Sequence, residues 1–323
     1  MALACAAGEI IQATERKIRS MQYAPIIKEI GRGAKGARPM SEAQAESLFG
    51  DILDQRVPDL ELGAILLSMR IKGEDADELA GFKRAMDART AQVAVPAGPR
   101  CVVLPTYNGG RKQANLMPLV ALLLAREGVP VLIQGRHDFE SRVSPFELLG
   151  ALGITPAADT DDAARQLADR RLACLPVATL CPGLDALLAL RRRVGLRNSG
   201  HTLAKLLDPC RGHSVRVIAV THPEYLERMA EQLDREHACA LLMRATEGEA
   251  YAHPRRRPRL LGYVDGAARV LFEQEDSDPT RDPGEGCAVA DNVAQIRAML
   301  DGAQAVPQPI LDQVSALAQL ARA

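Results

Sequence analysis

Cys101-Val102-Val103-Leu104-Pro105-Thr106-Tyr107-Asn108-Gly109-Gly110-Arg111-Lys112-Gln113-Ala114-Asn115-Leu116 is the stretch from which the fold is read. Its first four residues are an apolar, β-branched run that predicts a buried strand. An apolar helical pattern leads out from Leu116 to Ala125. Strand, glycine loop and helix is the arrangement that offers backbone N–H groups and a helix N-terminus to a phosphate. The loop holds Gly109 and Gly110, two adjacent cations, Arg111 and Lys112, and no carboxylate. Such a loop predicts a surface for polyanions more readily than a metal–nucleotide site. Gly109 and Gly110 also suit a simple turn, and Arg111 and Lys112 also suit a solvated loop.

Outward from this loop the pattern alternates. Strand-like runs occur at Val102–Leu104, Val131–Gln134, Leu172–Leu175, Val215–Val220 and Ala240–Met243, with helix-like runs between them. That predicts an α/β region with a mainly parallel central sheet. Residues 23–90 read as helices instead. Ser41 with Gln44, and Asp75 with Glu78, make capping-box starts. Leu62, Ile65, Leu66 and Met69 recur at helical spacing. Between Leu184 and Leu207 two helices follow each other, broken near Gly195 and restarted at Asn198, a good N-cap.

Hydrophobic content of 47% and charged content of 25% are ordinary for a globular protein. Aromatics are 3% with no Trp, which argues against single-strand binding on many stacking platforms. The formal net charge of −1 conceals a segregation. From Asp185 to Arg216 there are seven Lys or Arg against two Asp or Glu, and from Glu273 to Ala323 nine Asp or Glu against three Arg. A nucleic-acid surface is therefore expected as a local stripe. The seven cysteines are odd in number, lack a C-x-x-C pair, and predict reduced thiols in the cytoplasm rather than zinc or a disulfide framework. No apolar run reaches the ~18 residues of a membrane span. Residues 1–22 are expected to form an N-terminal extension.

Arg191, Arg192 and Arg193 end a helix, where cations complement the macrodipole. Three in a row, continued by Arg197, His201 and Lys205 at steps of four, exceed what a helix end requires. The group is read as polyanion-contacting, with Arg136 aimed at the same cleft as Arg111 and Lys112. Gly31 to Arg38 is a basic glycine loop whose Arg32, Lys35 and Arg38 suit phosphate contacts. It follows a helix, not a strand, so its G-x-G-x-x-G spacing is not a dinucleotide fingerprint. Arg255-Arg256-Arg257-Pro258-Arg259 reads as a solvated charge run. His222, Glu224, Glu247 and Glu249 lack ligand spacing on a common element, so no metal and no cofactor are expected.

Several motifs resemble the anthranilate phosphoribosyltransferase family (glycosyl transferase family 3). Leu66 to Glu74 with Glu78 to Phe82 is similar to its helical-domain signature, Arg191 to Arg197 to its R-x-x-L-G-x-R segment, and His222 to Leu226 to the start of a late helix. The resemblance implies a helical domain of residues 23–92 with 182–208 and an α/β domain of 93–181 with 209–323. The family's G-T-G-G-D loop falls on Pro105 to Gly109, so Thr106, Asn108, Gly109, Gly110 and Asn115 form a degenerate phosphate loop. The tandem carboxylates that hold magnesium fall on Ala250 and Tyr251. K-H-G-N falls on Ile133, Gln134, Gly135 and Arg136. Arg191 keeps the position of the anthranilate-contacting arginine. These losses resemble one subgroup, the YbiB-type proteins. That subgroup implies a homodimer that binds DNA or RNA without regard to sequence, with no catalytic residues. The enzyme family implies the alternative, phosphoribosyl transfer to an aromatic amine or base.

Overall fold

The computed structural model describes residues 22–138, 141–276 and 287–323. The extension expected over residues 1–22 lies outside these except for Gln22. The chain divides into two compact units, one running to Arg89 and including Pro182–Leu203, the other comprising Thr90–Cys181 and Ala204–Ala323.

The first unit is helical. Its helix over residues 22–30 is followed by Glu42–Leu53, Asp59–Lys72 and Ala76–Asp87. Two of them start where the sequence says. Gln44 donates its N–H to Ser41 Oγ at 3.3 Å while Ser41 N–H donates to Gln44 Oε1 at 3.0 Å. Asp75 N–H likewise donates to Glu78 Oε2 at 2.9 Å. Helices Glu42–Leu53 and Ala76–Asp87 pack through Phe49 and Phe82, stacked with centroids 4.8 Å apart. Gly81 permits this approach, since a Cβ there would lie 2.3 Å from the Glu42 carbonyl oxygen. Glu78 is wholly buried. It accepts from Lys72 Nζ at 2.5 Å and from Met40 N–H at 2.9 Å. A buried carboxylate is tolerated when paired and hydrogen-bonded in this way. The charged residues of the helical signature therefore tie the unit together.

The second unit is built on a seven-stranded sheet of order β3-β2-β1-β4-β5-β6-β7. The strands are β1 (Cys101–Thr106), β2 (Val131–Gly135), β3 (Leu172–Pro176), β4 (Ser214–Val220), β5 (Ala240–Arg244), β6 (Leu260–Val264) and β7 (Ala267–Phe272). Strands β1 to β5 pair in parallel, as the alternating pattern predicts, and β6 and β7 add antiparallel edges. Central β1 is buried along its whole length, which is why it reads as a continuous apolar run. Helices Met117–Arg126 and Gln308–Ala321 bury Leu119, Val120, Leu124, Ile310, Val314 and Leu317 in the core.

Two segments differ from expectation. Thr90–Gln92 and Ala204–Asp208 pack with the α/β unit rather than the helical one. Hydrogen bonds from the sheet hold the latter: Gln134 Nε2 donates to Ala204 O at 3.3 Å and Arg216 Nη1 to Leu206 O at 3.1 Å. The helix expected to carry both His201 and Lys205 is also interrupted. Gly200–Leu203 is one helical turn, and Ala204–Leu206 tightens into a 3-10 turn.

Candidate functional site

The loop after β1 is filled by the protein's own carboxylates. Glu249 is completely buried. Its Oε1 accepts the backbone N–H groups of Tyr107 at 3.2 Å, Asn108 at 3.0 Å and Gly109 at 3.1 Å. Its Oε2 accepts from Thr106 Oγ1 at 2.6 Å and from Asn115 Nδ2 at 3.4 Å. Glu247 takes the next two donors, Arg111 N–H at 2.6 Å and Lys112 N–H at 2.9 Å. A run of N–H groups poised for an oxyanion is thus satisfied by two glutamates.

A tight turn delivers both of them. Thr246 and Glu249 exchange backbone hydrogen bonds at 3.2 and 2.8 Å. Glu247 and Gly248 between them have φ of 52° and 91°. Left-handed backbone at a non-glycine residue costs about 1–2 kcal/mol, and the two N–H bonds to Glu247 offset it. Gly248 sits so close to the loop that a Cβ would fall 2.4 Å from Asn108 Nδ2, which donates to Gly248 O at 3.0 Å. Beyond the turn, Gln313 donates to Ala250 O at 3.0 Å and accepts from Ala252 N–H at 2.7 Å. Tyr251 is buried, and its hydroxyl donates to Ala114 O at 3.1 Å. Burial pushes that phenol far above its usual pKa.

The loop is tied down on its other side. Gly110 exchanges backbone hydrogen bonds with Val143 at 2.8 and 2.9 Å. Asn115 N–H donates to Asn292 Oδ1 at 2.7 Å, while Asn115 Oδ1 accepts from Met117 N–H at 3.2 Å. Arg136 N–H donates to Thr106 O at 3.0 Å. The magnesium and phosphoribosyl pyrophosphate that the family resemblance implies do not fit these residues. Ala250 has no ligand atom, the Tyr251 hydroxyl serves Ala114, and the loop donors serve Glu249.

The predicted cations divide into exposed and committed ones. Arg111 and Lys112 expose their side chains. Arg136 instead grips Asp138 through Nε at 2.8 Å and Nη2 at 2.6 Å. Lys205 turns its ammonium onto the Ala219 carbonyl, so it is not part of a cationic ladder. In the helical unit every residue from Arg191 to Arg197 is exposed. The helix there is the single turn Arg191–Val194, ended by Gly195 at φ 75°. Arg193 meets Asp59 at 3.4 Å, but the two side chains are 70% and 83% exposed, a geometry of little energetic weight. His201 packs beside Asn198, whose N–H lies 3.3 Å from His201 Nδ1. Arg32, Lys35 and Arg38 are exposed around the short helix Gly33–Gly36, with Arg32 paired to Glu29 at 2.8 Å.

The sequence reading missed Glu247 and Glu249 as partners of the loop. They were weighed only as metal ligands and set aside for want of ligand spacing, whereas a donor-rich loop lacking its own carboxylate was the signal that an acid must come from elsewhere. It also treated Arg255 to Arg259 as uniformly solvated. Arg257 is a structural member: it pairs with Asp312, lies 3.3 Å from Glu275 and sits 5.4 Å over the Phe272 ring.

Comparison with known proteins agrees with this architecture. Residues 24–90 match the helical bundle domain of the glycosyl transferase family. The uncharacterized protein YbiB of Escherichia coli K12 is 44% identical over 80% of this chain and 81% of its own length. An anthranilate phosphoribosyltransferase of Synechococcus sp. JA-3-3Ab is 30% identical over 83% and 80%. The crystal structure of the anthranilate phosphoribosyltransferase of Thermus thermophilus superposes with a TM-score of 0.71 at 24% identity, covering 88% of this chain and 85% of that one. With these matches along most of its length, the chain belongs to the anthranilate phosphoribosyltransferase-like family of glycosyl transferases.

Proposed function

We propose that this protein has left transfer chemistry and binds nucleic acid, DNA or RNA, through phosphates. The observation that carries the reading is the exposed Arg191-Arg192-Arg193-Val194-Gly195-Leu196-Arg197 segment. Four guanidiniums in seven exposed residues concentrate positive charge where a polyanion can reach it, and arginine forks match phosphate oxygens. Arg111 and Lys112 offer a second pair of exposed cations in the α/β unit. Contacts of this kind hold the backbone and read no bases, so binding is sequence-tolerant and weakens with salt.

Phosphoribosyl transfer is the second reading, and the named activity of the 30%-identical relatives favours it. It requires preorganised donors for the pyrophosphate and a clamp for its charge. Glu249 and Tyr251 stand against both. Titration of magnesium–phosphoribosyl pyrophosphate by calorimetry, beside a gel-shift panel of single- and double-stranded DNA and RNA, separates the two. Binding of nucleic acid without binding of the pyrophosphate supports the first reading. Micromolar, magnesium-dependent binding of the pyrophosphate overturns it.

We also take the protein to be a homodimer through its helical unit. Leu60, Leu67 and Ile71 of helix Asp59–Lys72 are 81%, 48% and 58% exposed. Their spacing of seven and four places them along one face. An apolar stripe of this kind marks a contact surface.

A further inference from the structure

We propose that the α/β unit carries a second anion site, a cavity of about 290 Å³ suited to a phosphate monoester on a hydroxyl-bearing group. Lys112, Arg244, His253, Arg256, Glu247 and Gln274 line it. Lys112 follows the β1 loop and Arg244 ends β5. The cavity therefore opens at the carboxyl ends of the parallel strands, where open α/β sheets place their ligands. Its cations lie outside the ring of donors that Glu249 fills, so the site is distinct from the one Glu249 closes.

Charge selects the ligand. Lys112, Arg244 and Arg256 are exposed cations, whereas Arg257, also at the rim, is committed to Asp312 and Glu275. Among the described residues three exposed cations line one cavity with one carboxylate, Glu247. Each Glu247 oxygen already accepts one backbone N–H, which leaves lone pairs for a hydroxyl but a weakened field against an anion. A dianionic monoester neutralises the excess better than a monoanionic diester or carboxylate does. The volume lies at the lower end of small-molecule pockets and leaves room beside a phosphate for a sugar, whose hydroxyls Glu247 and Gln274 are able to meet. Arg255 N–H donates to His253 Nδ1 at 3.1 Å, so the neutral ring carries its hydrogen on Nε2. Burial, with Arg256 and Arg255 nearby, holds that imidazole below its ordinary pKa, as expected for a ring set among cations.

Free sugar phosphates and the terminal phosphate of a nucleic-acid strand share this chemistry. Calorimetry on the full chain with ribose 5-phosphate, adenosine monophosphate, ribose and adenosine tests the chemistry. A 5′-phosphorylated and a 5′-hydroxyl hexanucleotide separate the sources. Ribose 5-phosphate and adenosine monophosphate are expected to bind with Kd at or below about 1 mM and ribose and adenosine not to bind, while the 5′-phosphorylated hexanucleotide is expected to bind more tightly than its 5′-hydroxyl counterpart, whose internal diesters still meet the arginine segment. The Arg244→Ala/Arg256→Ala variant is expected to weaken binding roughly tenfold or more. Binding of the free esters makes the ligand a small molecule, and a preference for the phosphorylated over the 5′-hydroxyl hexanucleotide without binding of the free esters makes it a strand end; either supports the site. Equal binding within each pair, with and without its phosphate monoester, overturns it, as does no binding at all. Unchanged affinity in a double variant that melts like the parent overturns it too. Should that variant fail to fold, the ester-against-alcohol comparison on the parent decides alone.

Discussion

Replacing Glu249 with Ala tests whether the loop after β1 is closed by that side chain. The substitution leaves the N–H groups of Tyr107, Asn108 and Gly109 without their acceptor, along with the Thr106 hydroxyl and the Asn115 amide. A buried donor stripped of its partner costs about 1–3 kcal/mol. Thr106 Oγ1 rotates freely, and water entering the vacated space serves some of the rest, so the three backbone donors at the low end give about 3 kcal/mol. For a unit of this size that is a drop of roughly 6–12 °C in Tm. Glu249→Gln, which keeps one acceptor oxygen but turns an NH2 toward donors, is expected to fall in between. The diagnostic part is rescue. Inorganic phosphate or sulfate entering the emptied cradle should restore up to about 2.7 kcal/mol at a hundredfold excess over its Kd, in the Ala variant beyond any stabilisation the same anion gives the parent through the separate cation-lined cavity. Thermal unfolding by circular dichroism, with and without phosphate, reads both effects. An Ala variant that melts with the parent, or phosphate stabilising both alike, refutes the picture of a self-filled loop.

The pH dependence of stability should carry a mark of His253. Its imidazole is held below the usual 6.5 by burial, then by Arg256 and Arg255. Between the folded value and 6.5 the unfolded chain binds the proton more strongly. The neutral ring's contribution is therefore complete above pH 6.5 and is lost as pH falls through that window. His253→Gln should flatten this part of the urea-midpoint profile, and an unchanged profile counts against the assignment. Gly81→Ala drives a methyl into the Glu42 carbonyl, at 2.3 Å, and is expected to lower urea stability by about 1–3 kcal/mol; a neutral effect contradicts the close helix approach. Leu60→Asp with Leu67→Asp should convert a dimer to a monomer by light scattering, and a parent that is already monomeric removes the homodimer.

The parallel core and the helical unit were legible because their residues obey one period each. Cys101–Leu104 is apolar throughout because both sheet faces are covered, and Ser41 and Asp75 announce their helices through local hydrogen bonds. The β6–β7 hairpin was missed although Asp265-Gly266, at φ 50° and 81°, is a favoured two-residue turn; the edge strand β7, exposed in its first half and half-buried in its second, lacked the buried pattern that identified the other strands. The site was less legible. Arg111 and Arg136 look alike in sequence, yet Asp138, two residues on, takes the second, while the side chain of the first is exposed. Lys205 read as a helix-face cation because four-residue spacing assumes an uninterrupted helix. Glu249 lies far from Gly109 along the chain, and only the fold brings a carboxylate to the loop that lacked one.

The most direct test of phosphate-directed binding is the salt slope of nucleic-acid affinity in the parent and in a variant with Arg191, Arg192, Arg193 and Arg197 all changed to Ala. Each phosphate contact contributes a log–log slope of about −0.9 on duplex DNA and about −0.7 on single strands. Losing four contacts should flatten the slope by roughly 3–4 units on duplex and about 3 on single strands, equally for unrelated sequences. Arg136→Gln, whose guanidinium is held by Asp138, should leave the slope unchanged. A folded quadruple variant that keeps both the affinity and the slope of the parent contradicts the proposed function.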